Sequence, residues 1–235
     1  MANPFFKFKQ FTVWHDQCAM KVGTDGVLLG ALAPVSNKTN LLDIGTGTGL
    51  VALMMAQRNL DAQITALEID YSATKQAQFN FDQSPWEERI KLTQTDFKLY
   101  QTNQRYDLIV SNPPYFVDSL LSHKQNKNVA RHTVDLSFKD LLYGVARLLQ
   151  PDGHATFIIP TDAQEEFINL AQKMKLHLIY RVNIQTRPGL EPKRVVLTFG
   201  NTQQKLVEES LLIELERHIY SEEYISITKD FYLKF

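Results

Sequence analysis

The sequence predicts an α/β fold with a mostly parallel central sheet. Two observations lead to this prediction: short apolar runs alternate with longer helix-like segments, and the alternation continues along most of the chain. Strands that alternate with helices pair in parallel through crossover connections. The chain has 235 residues, of which 44% are hydrophobic, which is enough for one large domain with a substantial core.

Short apolar runs between residues 41 and 199 are predicted to be strands. They are Leu41–Ile44, Ile64–Ile69, Ile90–Leu92, Tyr106–Val110, His154–Ile159, His177–Val182 and Arg194–Phe199. Helices are predicted over Leu50–Ala56, Ser72–Phe81, Phe138–Leu149, Ala163–Met174 and Leu206–His218. The helix that ends at Leu149 is followed by Pro151-Asp152-Gly153, a helix-ending signal.

The chain is expected to have three parts. Residues 1–22 form an aromatic and basic extension, residues 23–202 form the main domain, and residues 203–235 form a C-terminal helix and tail packed on the same domain. In the extension, phenylalanines and Trp14 interleave with lysines. Such a segment is a strand or hairpin that packs on the main domain, or a surface where aromatic faces stack on RNA bases and lysines meet phosphates. The two roles are compatible.

Composition excludes several classes of protein. The formal net charge is −1, so a nucleic-acid-binding surface would have to be local. The single cysteine, Cys18, excludes an intramolecular disulfide and a cysteine-rich metal site, and we expect it to be a small buried side chain. The sequence has neither a signal-peptide pattern nor an apolar run of about 20 residues. We therefore expect a cytoplasmic protein without metal or membrane contacts, as a monomer or weak dimer.

A glycine-rich turn follows the first predicted strand, with glycines at Gly45, Gly47 and Gly49. Glycines at every second position let the chain turn sharply and bring its backbone against a ligand. Leu50 fills the place of the third glycine in the G-x-G-x-x-G pattern of dinucleotide-binding folds. Asp43, just ahead of the turn, would repel a diphosphate but attract the ammonium group of a methionine moiety. The missing third glycine and the acidic Asp43 argue against NAD as the cofactor.

Acidic residues lie at the end of the second predicted strand and after the third. Glu68 ends the second strand, where one carboxylate can accept hydrogen bonds from both hydroxyls of a ribose. Asp70 lies slightly farther along and is expected to cap the next helix. Asp96 follows the third strand, where it can accept a hydrogen bond from an adenine amino group, and Phe97 can pack on that base.

In this order and at these spacings, the glycine turn and the acids resemble motifs I to III of the class I S-adenosylmethionine methyltransferases. The resemblance covers roughly residues 22–200. It implies a Rossmann-like fold with a seven-stranded, mostly parallel sheet and an antiparallel last strand. It also implies S-adenosylmethionine as the cofactor, with contacts from Asp43, Gly45, Gly47, Gly49, Glu68, Asp96 and Phe97.

The sequence Asn112-Pro113-Pro114-Tyr115 follows the fourth predicted strand, at the end that faces the expected methyl donor. It matches the (Asn/Asp)-Pro-Pro-(Tyr/Phe) signature of methyltransferases that act on amino groups of adenine, cytosine or glutamine. Such amines are poor nucleophiles because their lone pair is delocalised. The Asn112 side-chain oxygen and the Pro113 carbonyl, held rigid by the prolines, favour a localised lone pair, and Tyr115 offers a flat face to the base. Asn112 is also expected to contact the cofactor.

Three enzyme families share this signature. Glutamine methyltransferases of release factors carry a long helical domain before the glycine turn, whereas only 40 residues precede the first predicted strand here. DNA methyltransferases usually add a target-recognition domain, for which the chain has no room. An RNA substrate therefore fits best. A ribosomal-RNA base and a protein glutamine remain alternative substrates, and a non-catalytic cofactor-binding subunit would not need the intact motif.

Two basic segments favour RNA. The loop after the catalytic motif has no acidic residue from 119 to 134, and we expect its Lys124, Lys127 and Arg131 to contact phosphates. In segment 181–194, only Glu191 opposes the basic residues. The expected RNA contacts there are Arg187, Lys193 and Arg194.

Several segments together resemble the bacterial tRNA (adenine-N6)-methyltransferases almost end to end. They are Lys21–Gly30, the glycine turn, Asn112–Tyr115, Ala130–His132 and Ile227–Tyr232. That family modifies the adenosine at position 37, beside the anticodon of a valine tRNA. The resemblance implies a tRNA partner and puts Gly23 and Thr24 over the methionine end of the cofactor. From the residues alone, this region is a permissive turn and a helix start capped by Thr24 or Asp25.

Overall fold

The fold is built on a central eight-stranded sheet with helices on both faces. The computed structural model describes residues 3–18, 21–114 and 136–235. The strands are β1 Phe5–Lys7, β2 Thr12–Trp14, β3 Asn40–Ile44, β4 Gln63–Glu68, β5 Ile90–Gln94, β6 Tyr106–Ser111, β7 Leu149–Pro160, β8 His177–Gln185, β9 Arg194–Gly200, β10 Val207–Leu212, β11 Glu214–Glu216 and β12 Ile219–Tyr220. The helices are α1 Thr24–Leu32, α2 Leu50–Arg58, α3 Tyr71–Asp82, α4 Phe138–Leu148, α5 Gln164–Lys173 and α6 Glu222–Thr228.

The strand order in the large sheet is β10-β8-β9-β7-β6-β3-β4-β5. Strands β5, β4, β3, β6 and β7 pair in parallel, as their crossover connections require. The strand β9 is antiparallel to both of its neighbours, β7 and β8. The predicted Rossmann-like fold and its antiparallel last strand are therefore confirmed. The sheet has one strand more than predicted, because β10 adds to β8 in parallel.

The central strands bury side chains on both faces. In β3, Leu41 belongs to the core under α1, α2 and α3, whereas Leu42 belongs to the core under α4 and α5. In β6, Leu108 and Ile109 divide between the same two cores. Successive side chains of a strand point to opposite faces, so a strand covered on both sides needs a continuous apolar run. This requirement explains why the runs were recognisable in the sequence.

The predicted helix Leu206–His218 is wrong, because this segment forms β10, β11 and β12. Its apolar residues, such as Val207, Leu211 and Leu215, also fit helical spacing. The edge of β8 nevertheless offers a ladder of backbone hydrogen bonds, and β10 pairs with it over its whole length. Tertiary pairing overrides a local helical pattern in such a case. The C-terminal helix lies farther along the chain as α6, with Ser221 as its N-cap.

The N-terminal extension forms a hairpin of β1 and β2, as one of its two predicted roles required. Phe8, Phe11 and Val13 are buried in the main core. The side-chain ammonium of Lys9 donates to the carbonyl oxygens of Lys229 at 2.6 Å and Phe235 at 2.7 Å. The hairpin therefore packs on the main domain and on the C-terminal segment. Its contact with RNA stays a prediction.

Asn80 of α3 joins the hairpin to the glycine turn. The Asn80 side chain is 1% exposed and donates to the carbonyl oxygens of Trp14 at 2.9 Å and Thr48 at 2.8 Å. Its side-chain oxygen accepts a hydrogen bond from the Trp14 backbone N–H at 2.9 Å. A buried amide that is satisfied in this way fixes the segments that it joins, because losing any partner would leave a buried polar group unpaired.

A change of Gly49 to alanine should destabilise the protein by about 2–4 kcal/mol, from left-handed backbone strain plus overpacking. Gly49 has φ +83°, and a Cβ there would lie 2.4 Å from the Phe81 ring. Urea unfolding measures the effect.

Gly189→Ala is the matched control, because Gly189 has φ +76° and open space at its Cβ position. It should show only the smaller backbone effect. Equal losses for Gly49→Ala and Gly189→Ala would contradict a packing role for Gly49.

Candidate active site

The candidate site lies at the carboxyl edge of the sheet, where β3 is paired with β4 on one side and β6 on the other. Ile44 of β3 lies beside Leu67 of β4 and Ser111 of β6. The buried Ser111 hydroxyl donates to the Ile44 carbonyl at 2.8 Å, which fixes this alignment. The loops that follow the three strands therefore meet at one edge. In open α/β sheets, ligands bind at such a topological switch point.

The glycine turn has two kinds of glycine. Gly45, Gly47 and Gly49 all have left-handed φ angles, of +71°, +58° and +83°. A Cβ on Gly45 or Gly47 would meet no atom within 4 Å, so these two residues border open space. A Cβ on Gly49 would instead collide with Phe81. Gly45 and Gly47 leave room for a ligand against the backbone, whereas Gly49 is required for packing.

Glu68 lies under this turn and is 8% exposed. Its Oε2 accepts the backbone N–H of Gly47 at 2.8 Å, and its Oε1 accepts those of Ile69 at 2.8 Å and Asp70 at 2.9 Å. A carboxylate has about four acceptor positions, so at least one is left for a ligand hydroxyl. Asp70 accepts the Ala73 backbone N–H at 2.7 Å and caps α3, as predicted.

Asp43 is buried beneath the turn and is 2% exposed. Its Oδ2 accepts a hydrogen bond from the Thr46 hydroxyl at 2.6 Å. Burial raises the pKa of Asp43 to about 7, and the nearby charge of Glu68 adds to the shift, although the bond from Thr46 opposes it. The Asp43 carboxyl therefore fixes the turn through its hydrogen bond with Thr46. Because its pKa is about 7, a charged group bound at the turn would change its protonation near neutral pH.

Asp96 and Phe97 lie at the same edge, after β5. The Thr95 backbone N–H donates to the Glu68 carbonyl at 2.8 Å, which brings the two loops together. Asp96 caps a short 3₁₀ turn by accepting the Lys98 backbone N–H at 2.9 Å, and its side chain is 20% exposed. Phe97 is 5% exposed, and its ring fills the space beside Gly144 of α4. Most of the Phe97 ring is therefore core, which leaves only a small surface for a base.

Sequence reasoning missed Ile69. This residue follows Glu68 directly and is 40% exposed, although it is a large aliphatic side chain. An exposed apolar side chain beside the carboxylate that is predicted to bind ribose would offer a surface for a flat base. Its signal in the sequence was an apolar residue between Glu68 and Asp70, at the last position of the predicted strand Ile64–Ile69.

The motif Asn112-Pro113-Pro114-Tyr115, which is predicted to be catalytic, begins directly after β6. Asn112 is half-buried, Pro113 is buried and Pro114 is exposed. The register of β6 with β3 brings Asn112 beside the start of the glycine turn. Tyr115 lies outside the described residues.

The turn at Gly23 and Thr24 is a helix start, as predicted, with α1 beginning at Thr24. The predicted cap by Thr24 or Asp25 is wrong, because the N-cap is Gly23 and no side chain caps the helix. Asp25 instead accepts a hydrogen bond from Arg194 Nε at 2.8 Å. A carboxylate used in an ion pair across the fold is not available to the free N–H groups of its own helix.

The predicted RNA contacts divide into two groups. Lys124, Lys127 and Arg131 lie outside the described residues. In the other group, Lys193 is exposed, whereas Arg194 pairs with Asp25 and the Arg187 guanidinium lies 3.9 Å from a Glu214 carboxylate oxygen.

The described residues contain neither a metal-ion cluster nor a membrane-spanning helix. Among residues 3–18, 21–114 and 136–235, no three His, Cys, Asp or Glu side chains cluster so as to hold a metal ion. No helix in the described part of the chain is long and apolar enough to cross a membrane. Cys18 is partly rather than fully buried, in contrast to the expectation.

Solved structures share the fold. A "predicted O-methyltransferase" from Agrobacterium tumefaciens superimposes with a TM-score of 0.71 over 88% of this chain and 96% of that chain, at 18% identity. A ribosomal protein L11 methylase from Lactobacillus delbrueckii subsp. bulgaricus gives a TM-score of 0.54 over 76% of this chain and 77% of that chain, also at 18% identity. At such identities, the likeness concerns the fold alone.

Sequence comparison is more specific. The model of the "Methyltransferase small domain" family matches residues 19–176. Proteins named tRNA1(Val) (adenine(37)-N6)-methyltransferase are 53% identical in Bacteroides thetaiotaomicron, over 99% of both chains, and 54% identical in Phocaeicola vulgatus, over 99% of both chains. The one in Aeromonas hydrophila is 45% identical over 99% of this chain and 98% of its own. The chain therefore belongs to the small-domain methyltransferases, and within them to the tRNA1(Val) (adenine(37)-N6)-methyltransferase family.

Proposed function

We propose that this protein transfers a methyl group from S-adenosylmethionine to N6 of the adenosine at position 37 in a valine tRNA. The similarity to enzymes of that name over nearly the whole chain carries the proposal. The site agrees with it, because Asn112 follows β6 beside the glycine turn. Similarity over both chain lengths favours tRNA over ribosomal RNA and protein glutamine, the two alternatives that the sequence left open.

The residues at the edge of the sheet fit the cofactor. Gly45 and Gly47 leave open space that a Cβ would fill, and the Glu68 carboxylate has a free acceptor position for a ribose hydroxyl. Ile69 offers an exposed apolar face, and Asp96 lies at the same edge with a partly exposed carboxylate. When bound, S-adenosylmethionine supplies an electrophilic methyl group on a positively charged sulfur.

Asn112 and Pro113 prepare the amine. The side-chain oxygen of Asn112 and the carbonyl oxygen of Pro113 accept hydrogen bonds from the two N–H groups of the exocyclic amine. These bonds favour a pyramidal nitrogen with a localised lone pair. Fixed acceptors of this kind stabilise the transition state without reorganisation. The buried Pro113 ring keeps the turn rigid. No strong base is needed, because the nitrogen loses its proton to water once it has gained the methyl group.

Labelled S-adenosylmethionine and total tRNA from bacteria lacking this activity test the proposed reaction. We expect the label in N6-methyladenosine, and separation of the tRNAs should locate it in a valine tRNA. Label in ribosomal RNA or protein instead would overturn the substrate while leaving the amine chemistry intact.

Asn112→Ala should lower kcat by about 10²-fold or more, because one of the two fixed acceptors is lost. The dissociation constant for S-adenosylmethionine should change much less, since Gly45, Gly47 and Glu68 remain. Single-turnover kinetics and calorimetry measure the two quantities separately. Normal turnover in this variant would refute the role of Asn112.

Cofactor binding should weaken as the pH falls through 7. Burial raises the pKa of Asp43 to about 7, so acid removes the charge that attracts the ammonium group of the methionine moiety. The dissociation constant should rise severalfold between about pH 8 and about pH 6 by calorimetry. Asp43→Asn is the control and should remove most of this dependence. A similar rise of the dissociation constant in Asp43→Asn would show that another group causes the pH dependence.

The double change Lys124→Ala and Lys127→Ala should weaken tRNA binding and flatten its salt dependence. Loss of two phosphate contacts should reduce the slope of log K against log salt by about 1.4–1.8. Filter binding at several salt concentrations measures the slope. Lys173→Ala with Lys205→Ala removes two exposed charges elsewhere and should leave it unchanged. Equal slopes for the two double variants would exclude the loop from the interface.

A further inference from the structure

A polar groove of about 610 Å³ lies between α4 and the segment that follows Asp96. Its lining residues are all neutral or basic, and none is acidic. They are Lys98, Tyr100, Gln101, Thr102, Asn103, Tyr143 and Arg147.

The exposed face of α4 continues the groove with a regular pattern. Lys139, Tyr143 and Arg147 are spaced at four-residue intervals, so they form one stripe with about 6 Å between neighbours along the helix axis. Tyr143 is 64% exposed, and Lys139 is exposed as well. An exposed aromatic ring between two cations is not required for packing. It is the arrangement by which proteins bind single-stranded nucleic acid, with bases stacked on the ring and phosphates beside the cations.

The cations in the groove are held in place. A terminal guanidinium nitrogen of Arg147 donates to the Tyr100 carbonyl at 2.6 Å, which fixes the side chain while other N–H groups remain for a ligand. The Lys98 ammonium lies 3.6 Å from Asp96 and is one-third exposed. Cations that are ordered before binding lose less entropy when a phosphate arrives.

The groove extends away from the active-site edge along α4. The segment that lines one wall follows Asp96 at the active-site edge and continues to Asn103, close to the start of β6 at the opposite edge. On the other wall, α4 ends at Leu148, directly before β7 starts at the opposite edge of the sheet. The 11 residues of α4 span about 16 Å, so its first turn points towards the active-site edge.

Three arginines elsewhere in the described chain each lie beside an acidic residue. Arg181 lies 3.6 Å from Glu208, Arg187 lies 3.9 Å from Glu214, and Arg194 pairs with Asp25. Each of these positive charges is offset by an acidic neighbour. Of the two cations that line the groove, Lys98 has such a neighbour in Asp96, whereas Arg147 is bound to the Tyr100 carbonyl.

We propose that this groove binds the RNA strand that leads away from the target adenosine, with a base stacked on Tyr143 and phosphates beside Lys98, Lys139 and Arg147. The proposal rests on the proposed tRNA substrate and adds a contact surface to it. Charge complementarity and the exposed ring select single-stranded loop RNA as the occupant, since a phosphate strand supplies negative charge at regular intervals.

Tyr143→Ala combined with Lys139→Ala tests the groove, because both side chains are exposed and their removal should not affect folding. Binding of a fluorescently labelled tRNA should weaken about tenfold, mostly through lost stacking. The KM for tRNA should rise with it, whereas kcat and the dissociation constant for S-adenosylmethionine should stay the same. Tyr143→Phe, which keeps the ring, should bind like the wild type.

Lys173→Ala on α5 is the matched control, because it removes an exposed charge from a neighbouring helix. Unchanged tRNA binding in the double variant, or equal weakening in Lys173→Ala, would overturn the proposal that the groove binds RNA. Wild-type protein that binds tRNA through the groove but does not methylate it would instead overturn the proposed function. The binding assay therefore tests the groove, and the methylation assay tests the proposed function separately.

Discussion

The parallel pairing of β3 with both β4 and β6 is the constraint on which the site depends. Because these strands share one direction, their carboxyl ends meet at one edge, and the loops after them converge there. The glycine turn, Glu68 and Asn112 come from distant parts of the chain. They become neighbours only because Ile44 is aligned with Leu67 and Ser111, an alignment that the buried Ser111 hydrogen bond reinforces.

The protein's own hydrogen bonds organise this edge. Glu68 accepts a hydrogen bond from the Gly47 amide and Asp43 accepts one from the Thr46 hydroxyl, so two carboxylates fix the shape of the turn. Keeping Asp43 buried disfavours its charged form, and the raised pKa expresses that cost. A turn that is already shaped loses little freedom on binding, which is how preorganised sites gain affinity.

The sequence predicted the central strands, most helices and the order of the site residues, because buried apolar runs and glycine turns leave strong local patterns. It failed where the outcome depends on distant partners. The segment 206–218 has a helical pattern, but residues 207–212 pair with the free edge of β8 and form a strand. Asp25 has the chemistry of a cap, yet Arg194, far along the chain, binds it. The exposure of Ile69 and the groove beside α4 likewise depend on how separate elements meet.

The hydrogen bonds of Asn80 also limit how the protein can change. One buried amide holds the backbone of Trp14 in the hairpin and that of Thr48 in the glycine turn. The extension is therefore not a module that can be exchanged freely between relatives. A chimera that takes its first residues from another protein must also take a compatible α3, so the two segments are expected to diverge together.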